Sequence, residues 1–374
     1  MTGSELPMSL CDLAPHHVRG IAPYQPGKPI AELAREMGIA EDEIVKLASN
    51  ENPLGTSPRV LAAIENVFLE LARYPDGSGF DLKAALAERL KVGQEQIVLG
   101  NGSNDVLEMV ARAFLTSGSS AVYSQYAFAV YPLAVQGVGA RGIEVPAKDY
   151  GHDLMAMLEA IEDDTRIVFL ANPNNPTGTF LPPAEVKSFI EEVPREVLVV
   201  LDEAYYEYLP RELQGDSVGW IAHHPNLIVV RTFSKAYGLA GLRVGYGATS
   251  AEVADMLNRV RQPFNVNSLA QAAAMEAMED EAFLEHCLDI NEAGMDQLTE
   301  GFKRLGVEYI PSHGNFVCCR VGNATAMYRS LLRQGVIVRP VANYGMPEHL
   351  RVSVGLESEN AKFLQALEHA LNKS

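Results

Sequence analysis

Six short apolar runs constrain the fold of this chain more than any other feature of its sequence. The runs are AVYS (121–124), GIEVP (142–146), RIVFLANP (166–173), VLVVLDEAY (197–205), NLIVVRTFS (226–234) and RVGYGAT (243–249). Runs of Val, Ile and Leu without polar alternation are typical of strands that are buried on both faces. Because segments of helix length separate most of these runs, they predict an α/β fold with a mostly parallel central sheet flanked by helices.

The length of 374 residues is enough for about two domains. Residues 1–30 are rich in Pro and Gly and lack periodicity, and we expect residues 1–50 to form an arm that joins the smaller domain. Residues 51–265 carry the predicted sheet and form the expected large domain. In residues 266–374, two helical segments precede short strand-like runs, which predicts a smaller C-terminal α+β domain.

The charge balance restricts the partners of the protein. The formal net charge is -18 and the isoelectric point is about 4.9, so the surface repels nucleic-acid phosphates and anionic lipids. We therefore expect small-molecule substrates, with neither a nucleic acid nor a membrane as partner. An anionic substrate would then need arginines of its own in the site.

The cysteines and the N-terminus bear on location. The cysteines, Cys11, Cys287, Cys318 and Cys319, form no C-x-x-C pair, and we interpret them as reduced thiols rather than as ligands of a metal site. The sequence contains no basic region followed by an apolar stretch at its start and no apolar run of membrane-spanning length. These features predict a cytoplasmic protein without a metal site.

Polar residues follow several of the apolar runs, at the point where each predicted strand ends. Asn175 comes after RIVFLANP, Asp202 ends VLVVLD, and Ser234 and Lys235 follow NLIVVRTF. In open parallel sheets, ligands bind outside the carboxyl ends of the strands. We therefore expect these side chains to converge on one site.

Lys235 lies in a tight, apolar, glycine-rich segment, RTFSKAYGLAGLRVGY (231–246). Partial burial disfavours the ammonium form and lowers the pKa of a lysine. The amine then becomes a usable nucleophile that can form a Schiff base with an aldehyde. A solvated loop lysine is the alternative, and it would be the better interpretation of an isolated lysine.

Asp202 ends a wholly apolar run and begins DEAYYEY. An aspartate at the end of a buried strand needs a cation or good hydrogen-bond donors, and a protonated pyridine nitrogen would serve. Tyr205, three residues later, would then reach a hydroxyl on the same ring. A helix N-cap is the structural alternative for the aspartate.

Two further motifs, each weak alone, accompany the predicted strand ends. NPNNPTG (172–178) predicts a turn, in which Asn175 either offers its amide to a ring oxygen or serves the turn alone. GNGSND (100–105) opens a helix whose free N–H groups make an anion cradle, although it lacks the third glycine of a dinucleotide fingerprint. Arg243 and Ser234 would add donors for the same phosphate.

The order of these motifs is more specific than any one of them. Asn-Pro-Thr-Gly, then Asp-x-x-Tyr, then Ser-Lys with an arginine eight residues later resembles the fold type I, pyridoxal-phosphate-dependent aminotransferases, and the resemblance covers nearly the whole chain. The finer motifs ASNENPLGTSP, ARYPDGSGFDLKAALAERL, NGSNDVLEMVARAF, YSQYAFAVYPLAV and LRVSVG are similar to those of the histidinol-phosphate aminotransferases.

This resemblance implies pyridoxal 5'-phosphate as the cofactor and Lys235 as the lysine that forms a Schiff base with it. Asp202 would pair with the pyridine nitrogen, and Tyr205 and Asn175 would bond the ring oxygen. Phe128 would stack on the ring, where many relatives carry tyrosine. The residues implied to hold the cofactor phosphate are Gly102, Ser103, Asn104, Thr232, Ser234 and Arg243. The role of Asn104 stays open, because many family members have an acidic residue there.

The resemblance also implies how substrates bind. Arg351 in HLRVSVG and Arg339 in GVIVRPV would bind the phosphate of histidinol phosphate, assisted by Tyr24, and then the carboxylates of glutamate and 2-oxoglutarate. Without the resemblance, a solvated charge at a strand edge would be the better interpretation of either arginine. Tyr74 in ARYPD would reach the cofactor phosphate from the other subunit of a homodimer.

Three alternatives remain open from the sequence. An aminotransferase for phenylalanine or tyrosine would need a similar pocket, and phosphothreonine decarboxylases share the motif order. A non-catalytic regulator built on this fold is the third alternative. Regulators of that kind carry an additional basic DNA-binding module, for which this acidic chain has neither the charge nor the spare length.

Overall fold

The computed structural model describes residues 9–372 of the chain. Its helices are α1 (His16–Arg19), α2 (Ile30–Met37), α3 (Pro58–Val67), α4 (Phe80–Leu90), α5 (Ser103–Phe114), α6 (Val130–Gly137), α7 (Leu154–Glu159), α8 (Pro183–Glu192), α9 (Ser217–Trp220), α10 (Ala251–Val260), α11 (Ser268–Glu279), α12 (Glu281–Leu305), α13 (Ala324–Leu332) and α14 (Glu357–Leu371). Its strands are β1 (Val45–Lys46), β2 (Ile97–Gly100), β3 (Ser120–Ser124), β4 (Arg141–Val145), β5 (Thr165–Ala171), β6 (Leu198–Asp202), β7 (Leu227–Thr232), β8 (Gly245–Thr249), β9 (Glu308–Ile310), β10 (Phe316–Arg320), β11 (Val336–Ile337), β12 (Arg339–Pro340) and β13 (His349–Ser353).

A seven-stranded sheet in the order β2-β8-β7-β6-β5-β3-β4 forms the centre of the molecule. Neighbouring strands from β4 to β7 pair in parallel, whereas β8 pairs antiparallel with both β7 and β2. Helices cover both faces: α5, α6 and α10 pack on one, and α7, α8 and α9 pack on the other. This three-layer arrangement confirms the mostly parallel sheet predicted from the apolar runs.

One predicted strand is not buried. The run GIEVP forms β4, whose residues 141–144 are exposed or half-buried, and only Val145 is buried. The reason is position, because β4 is the edge strand of the large sheet. A run of apolar residues cannot indicate whether its strand has one neighbour or two.

A second, four-stranded antiparallel sheet, β12-β13-β10-β9, lies in the C-terminal part of the chain. Its adjacent cysteines face opposite ways: Cys318 packs with Tyr344, and Cys319 packs with Phe302. The Cys318 thiol donates to the carbonyl oxygen of Pro176 at 2.9 Å, which ties the small sheet to the turn after β5. Strands β1 and β11 pair in parallel as a separate two-stranded sheet. The domain boundaries 1–50, 51–265 and 266–374 stay predictions.

The segment SPRVLAAIENVFLELARY (57–74) has a helical pattern throughout but does not form one long helix. Helix α3 ends at Val67, and a 3-10 turn follows at Phe68–Glu70. The apolar side chains of Leu69 and Leu71 are 92% and 60% exposed. The helical pattern of this segment therefore has no core to pack against within the chain, and the helix stops early.

No helix within residues 9–372 is long and apolar enough to cross a membrane.

Candidate active site

The carboxyl ends of β5, β6 and β7 open into one cavity of about 180 Å³. The predicted site residues that line it are Tyr24, Ser103, Asn104, Phe128, Asn175, Asp202, Tyr205, Thr232, Ser234, Lys235, Arg243, Arg339 and Arg351. Two predicted residues, Gly102 and Tyr74, do not line it. The convergence expected from the strand ends is therefore present in the fold.

Lys235 is partly accessible within this cavity and follows β7 by three residues. Its Nζ donates to the carbonyl oxygen of Ser49 at 3.2 Å and lies 5.7 Å from the centre of the Tyr205 ring. Burial first, and then the nearby charge of Arg351, lower the pKa of Lys235 to about 7, whereas Glu51 acts in the opposite direction. A large share of the amine is therefore neutral and nucleophilic near pH 7.

Asp202 is the last residue of β6 and is 5% exposed. Tyr131 donates a hydrogen bond from its hydroxyl to Asp202 Oδ2 at 2.7 Å, and the backbone N–H of Ala204 donates to Oδ1 at 3.2 Å. Burial raises the pKa of Asp202 to about 6, and the hydrogen bond from Tyr131 acts in the opposite direction. The carboxylate is thus an anion near neutral pH that lacks a cation within 4 Å among residues 9–372.

Tyr205 is buried and held by a polar chain that starts in the small sheet. The side-chain amide of Asn50 donates to the Tyr205 hydroxyl at 2.9 Å, while Ser353 donates to Asn50 Oδ1 at 2.9 Å. Burial raises the pKa of Tyr205 to about 12, so its hydroxyl stays protonated at neutral pH. The phenol can therefore donate a hydrogen bond to a ligand oxygen.

Asn175 lies in the turn after β5, and its Oδ1 accepts a hydrogen bond from Arg351 at 2.6 Å. The other terminal nitrogen of Arg351 donates to the carbonyl oxygen of Ala48 at 2.8 Å. Because Asn175 and Ala48 contribute neutral acceptors only, the guanidinium is positioned but its charge is not compensated.

Arg339 lies directly opposite Arg351 in the antiparallel pair of β12 and β13. Like charges at opposed positions of a sheet destabilise it, so this placement is favourable only when an anion lies between or beside them. Arg339 donates to the carbonyl oxygen of Gln25 at 2.5 Å, and its guanidinium carbon lies 5.5 Å from the ring centre of Tyr24. The N-terminal segment thus contacts Arg339 of this pair through Tyr24 and Gln25.

A second anion site lies where α5 begins. Arg243 donates to Ser234 Oγ at 3.1 Å, and the backbone N–H of Ser234 donates to Thr232 Oγ1 at 3.2 Å. A Cβ at Gly102 would lie 2.3 Å from an Arg243 nitrogen, and its φ of +78° favours glycine. Gly102 therefore makes room for Arg243 beside the first N–H groups of the helix, where an anion is stabilised.

None of the three cavity arginines, Arg243, Arg339 and Arg351, has a carboxylate within 4 Å among residues 9–372. The chain has 48 acidic and 30 basic residues, yet no acidic side chain of the described residues is placed to neutralise these three arginines. Three uncompensated guanidinium groups in one cavity indicate that it binds anions, with one group near α5 and a pair on the small sheet.

Tyr74 lies outside the cavity of its own chain. Its side chain is 82% exposed and stacks on Phe264, with 4.7 Å between the ring centres. The predicted contact between Tyr74 and the partner's cofactor phosphate stays a prediction.

The sequence reasoning missed several residues that line or support the cavity. Tyr131 and Asn50 hold Asp202 and Tyr205, and Tyr344 and Ser49 line the walls. For Tyr131, the available signal was its spacing of three residues after Phe128, which places both on one face of a helical turn. For Asn50, the signal was its place in ASNENPLG. This motif is similar to that of the histidinol-phosphate aminotransferases, but the motif alone did not indicate a contact of Asn50 with Tyr205.

The sequence comparisons agree on one family. The family model for class I and II aminotransferases matches residues 42–367. The chain is 62% identical to histidinol-phosphate aminotransferase 2 of Nitrosospira multiformis, over 97% of this chain and 93% of the relative. It is also 62% identical to histidinol-phosphate aminotransferase 1 of Thiobacillus denitrificans, over 97% and 96% of the two chains.

A solved structure gives the same result. The histidinol-phosphate aminotransferase of Sinorhizobium meliloti in complex with pyridoxal-5'-phosphate superposes on this chain with a TM-score of 0.89 and 29% identity. The match covers 100% of both chains.

The pKa of Lys235 leads to a prediction that can be tested on the protein without added cofactor. Because the amine is neutral above a pKa of about 7, an amine-specific acylating reagent should modify Lys235 with half-maximal rate near pH 7. Peptide mass spectrometry across a pH series measures this, with the exposed Lys91 as the reference. A Lys235 rate that still rises steeply above pH 9 would contradict the effect of burial.

Proposed function

The chain belongs to the histidinol-phosphate aminotransferases of the class I and II aminotransferase family, and we propose that it transfers the amino group of L-histidinol phosphate to 2-oxoglutarate. The products are imidazole-acetol phosphate and L-glutamate, a step of L-histidine biosynthesis. The observation that carries this proposal is the pair of separate anion sites around one buried lysine. One site suits a cofactor phosphate, and the other suits the phosphate or carboxylate of a substrate.

The residues present fit pyridoxal 5'-phosphate. Asp202 is a buried carboxylate with no cation within 4 Å in the described part of the chain, and a protonated pyridine nitrogen would supply one. Arg243, Ser234 and the start of α5 offer donors to the phosphate, with the space that Gly102 leaves. Phe128 lines the same cavity and offers a ring face for stacking.

When bound, pyridoxal phosphate supplies an aldehyde that captures the substrate amine and a ring that accepts electrons. The chain's own residues move the protons and hold the charges. The Nζ of Lys235, neutral near pH 7, would accept the proton that leaves the α-carbon of the substrate and would be the donor in the next proton transfer. Asp202 would hold the ring nitrogen as an ionised carboxylate, and Tyr205 and Asn175 would bond the ring oxygen. In well-oriented model systems, such positioning lowers the barrier by about 7–11 kcal/mol.

The arginine pair determines which substrate binds. A phosphate dianion placed between Arg339 and Arg351 removes the repulsion between opposed guanidinium groups, whereas phenylalanine offers a single carboxylate. The same pair accepts the carboxylates of glutamate and 2-oxoglutarate in the second half of the reaction. This charge match favours histidinol phosphate over the aromatic amino acids.

The dimer and the location belong to the same proposal. Exposed apolar side chains cluster in sequence around the end of α3, among them Phe68, Leu69, Leu71 and Tyr74. A second copy of the chain would cover this surface and receive Tyr74 at its cofactor phosphate. The cysteines are all free within residues 9–372, which supports the reduced cytoplasm as the location.

Arg339→Gln tests the substrate assignment. The loss of one charge-assisted hydrogen bond should lower kcat/KM for histidinol phosphate roughly 10- to 100-fold, while kcat/KM for phenylalanine changes much less. Steady-state rates of glutamate formation from 2-oxoglutarate measure both. Arg320→Gln is the matched control, because Arg320 is an exposed arginine of the same sheet paired with Glu308 and Glu348. Equal losses with the two amines would assign the enzyme to the aromatic aminotransferases.

Hybrid dimers test the shared site. The Tyr74→Phe and Lys235→Ala variants should each have low activity as homodimers. In a mixed dimer, one of the two sites would combine Lys235 of the Tyr74→Phe chain with Tyr74 of the Lys235→Ala chain. Both residues of that site would be intact. Refolding the two variants together should therefore restore up to a quarter of the native activity, since about half of the dimers are mixed and each has one intact site.

Refolding each variant alone is the control for this hybrid experiment. If mixed and separate samples have the same low activity although analytical ultracentrifugation shows dimers, Tyr74 acts within its own chain or not at all.

A further inference from the structure

Tyr131 makes the shortest side-chain contact to Asp202. Its hydroxyl donates to Oδ2 at 2.7 Å, and the ring is fully buried. Burial and the charge of Asp202 hold the pKa of Tyr131 well above its ordinary value, so the hydroxyl keeps its proton. It is therefore a permanent donor, and Asp202 is its acceptor.

Packing fixes the direction of this hydroxyl. The Tyr131 ring stacks on Phe169 of β5 with 4.7 Å between the ring centres and 10° between the planes. Phe128 meets the same ring edge-on, at 5.9 Å and 87°. With one ring face and an edge in contact, the phenol cannot turn away from Asp202 without opening the core.

The charge on Asp202 depends on its donors. The ionisable groups that act on it are Tyr131 from α6, Glu203 next to it in sequence and Lys235 after β7. Burial and the charge of Glu203 favour the neutral acid. The anion is favoured by the hydrogen bonds from Tyr131 and the Ala204 N–H and by the charge of Lys235. Of the side chains, Tyr131 counters burial most strongly.

We propose that Tyr131 is a positioning residue of the proposed aminotransferase reaction, which holds the Asp202 carboxylate ionised and oriented for the pyridine nitrogen of the cofactor. This proposal rests on the proposed function. Two residues of one turn would then act on the cofactor ring. Phe128 covers the face of the ring, and Tyr131, three positions later, holds the Asp202 carboxylate at the edge of the ring. The short segment from Phe128 to Tyr131, where α6 begins, then controls both the stacking and the charge on the ring.

Tyr131→Phe removes the hydroxyl and keeps the ring. In the protein without cofactor, the infrared band of the protonated Asp202 carboxyl, assigned with Asp202→Asn, gives the titration midpoint directly. The loss of the donor should raise this midpoint by about one pH unit. Because about half of the Asp202 carboxylate would then be protonated at pH 7, the dissociation constant for pyridoxal phosphate should increase about twofold, and the acidic limb of the kcat profile should move to higher pH.

Tyr237→Phe is the control, because Tyr237 is another buried tyrosine hydroxyl that does not line the cavity. It should leave the Asp202 midpoint and the cofactor affinity unchanged. Phe169→Leu loosens the Tyr131 ring without removing its hydroxyl, and it should produce a smaller change in the same direction. It also provides the test if Tyr131→Phe does not fold.

The proposal would be overturned if Tyr131→Phe left both the Asp202 midpoint and the cofactor affinity unchanged. If only Phe169→Leu folds, the same result in that variant would overturn it. The titration requires neither cofactor nor substrate, so this failure is separate from a failure of the proposed function. A raised midpoint in a protein that transfers no amino group from histidinol phosphate would leave the Tyr131–Asp202 interaction established. It would refute the proposed function and, with it, the role of Tyr131 in that reaction.

Discussion

The burial of Lys235 and Asp202 in one cavity is the constraint on which the rest of the structure depends. Desolvation moves the two pKa values toward each other, to about 7 and about 6, so that a neutral amine and a carboxylate anion coexist near neutral pH. The parallel sheet makes this possible, because β6 and β7 end side by side at the same edge. Removing either group from water costs free energy, which the surrounding hydrogen bonds and a bound cofactor offset.

Binding of anions by such an acidic protein depends on local arrangement. The sheet register places Arg339 opposite Arg351, and neutral acceptors hold Arg351 without neutralising it. The two anion sites come from different parts of the fold: Arg243 beside α5 and the arginine pair on the small sheet. The hydrogen bonds of Cys318 with Pro176 and of Asn50 with Tyr205 connect these parts, so the small sheet is joined to the ends of the large-sheet strands beside the cavity.

The sequence predicted the central sheet and most of the cavity, because unalternated apolar runs and strand-end polar residues are local signals. Helices α4, α5 and α12 coincide with FDLKAALAERL, SNDVLEMVARAF and EAFLEHCLDINEAGMDQLTEGFKRL, in which apolar residues recur at helical spacing. Tyr131 and Asn50 were not predicted, since their roles depend on contacts with residues 71 and 155 positions away in the chain. The early end of α3 and the exposure of β4 have the same origin, because both depend on which neighbours the tertiary structure provides.

The attachment point of the cofactor is the most direct measurement of the role of Lys235. Protein purified with pyridoxal phosphate and freed of excess cofactor would be reduced with borohydride, digested and mapped by mass spectrometry. We expect one modified lysine per chain, Lys235, in the peptide that contains FSKAYGLAGLR. Cofactor attached stoichiometrically to a different lysine, or no reducible linkage in an active protein, would contradict the assignment of Lys235 as the reacting amine.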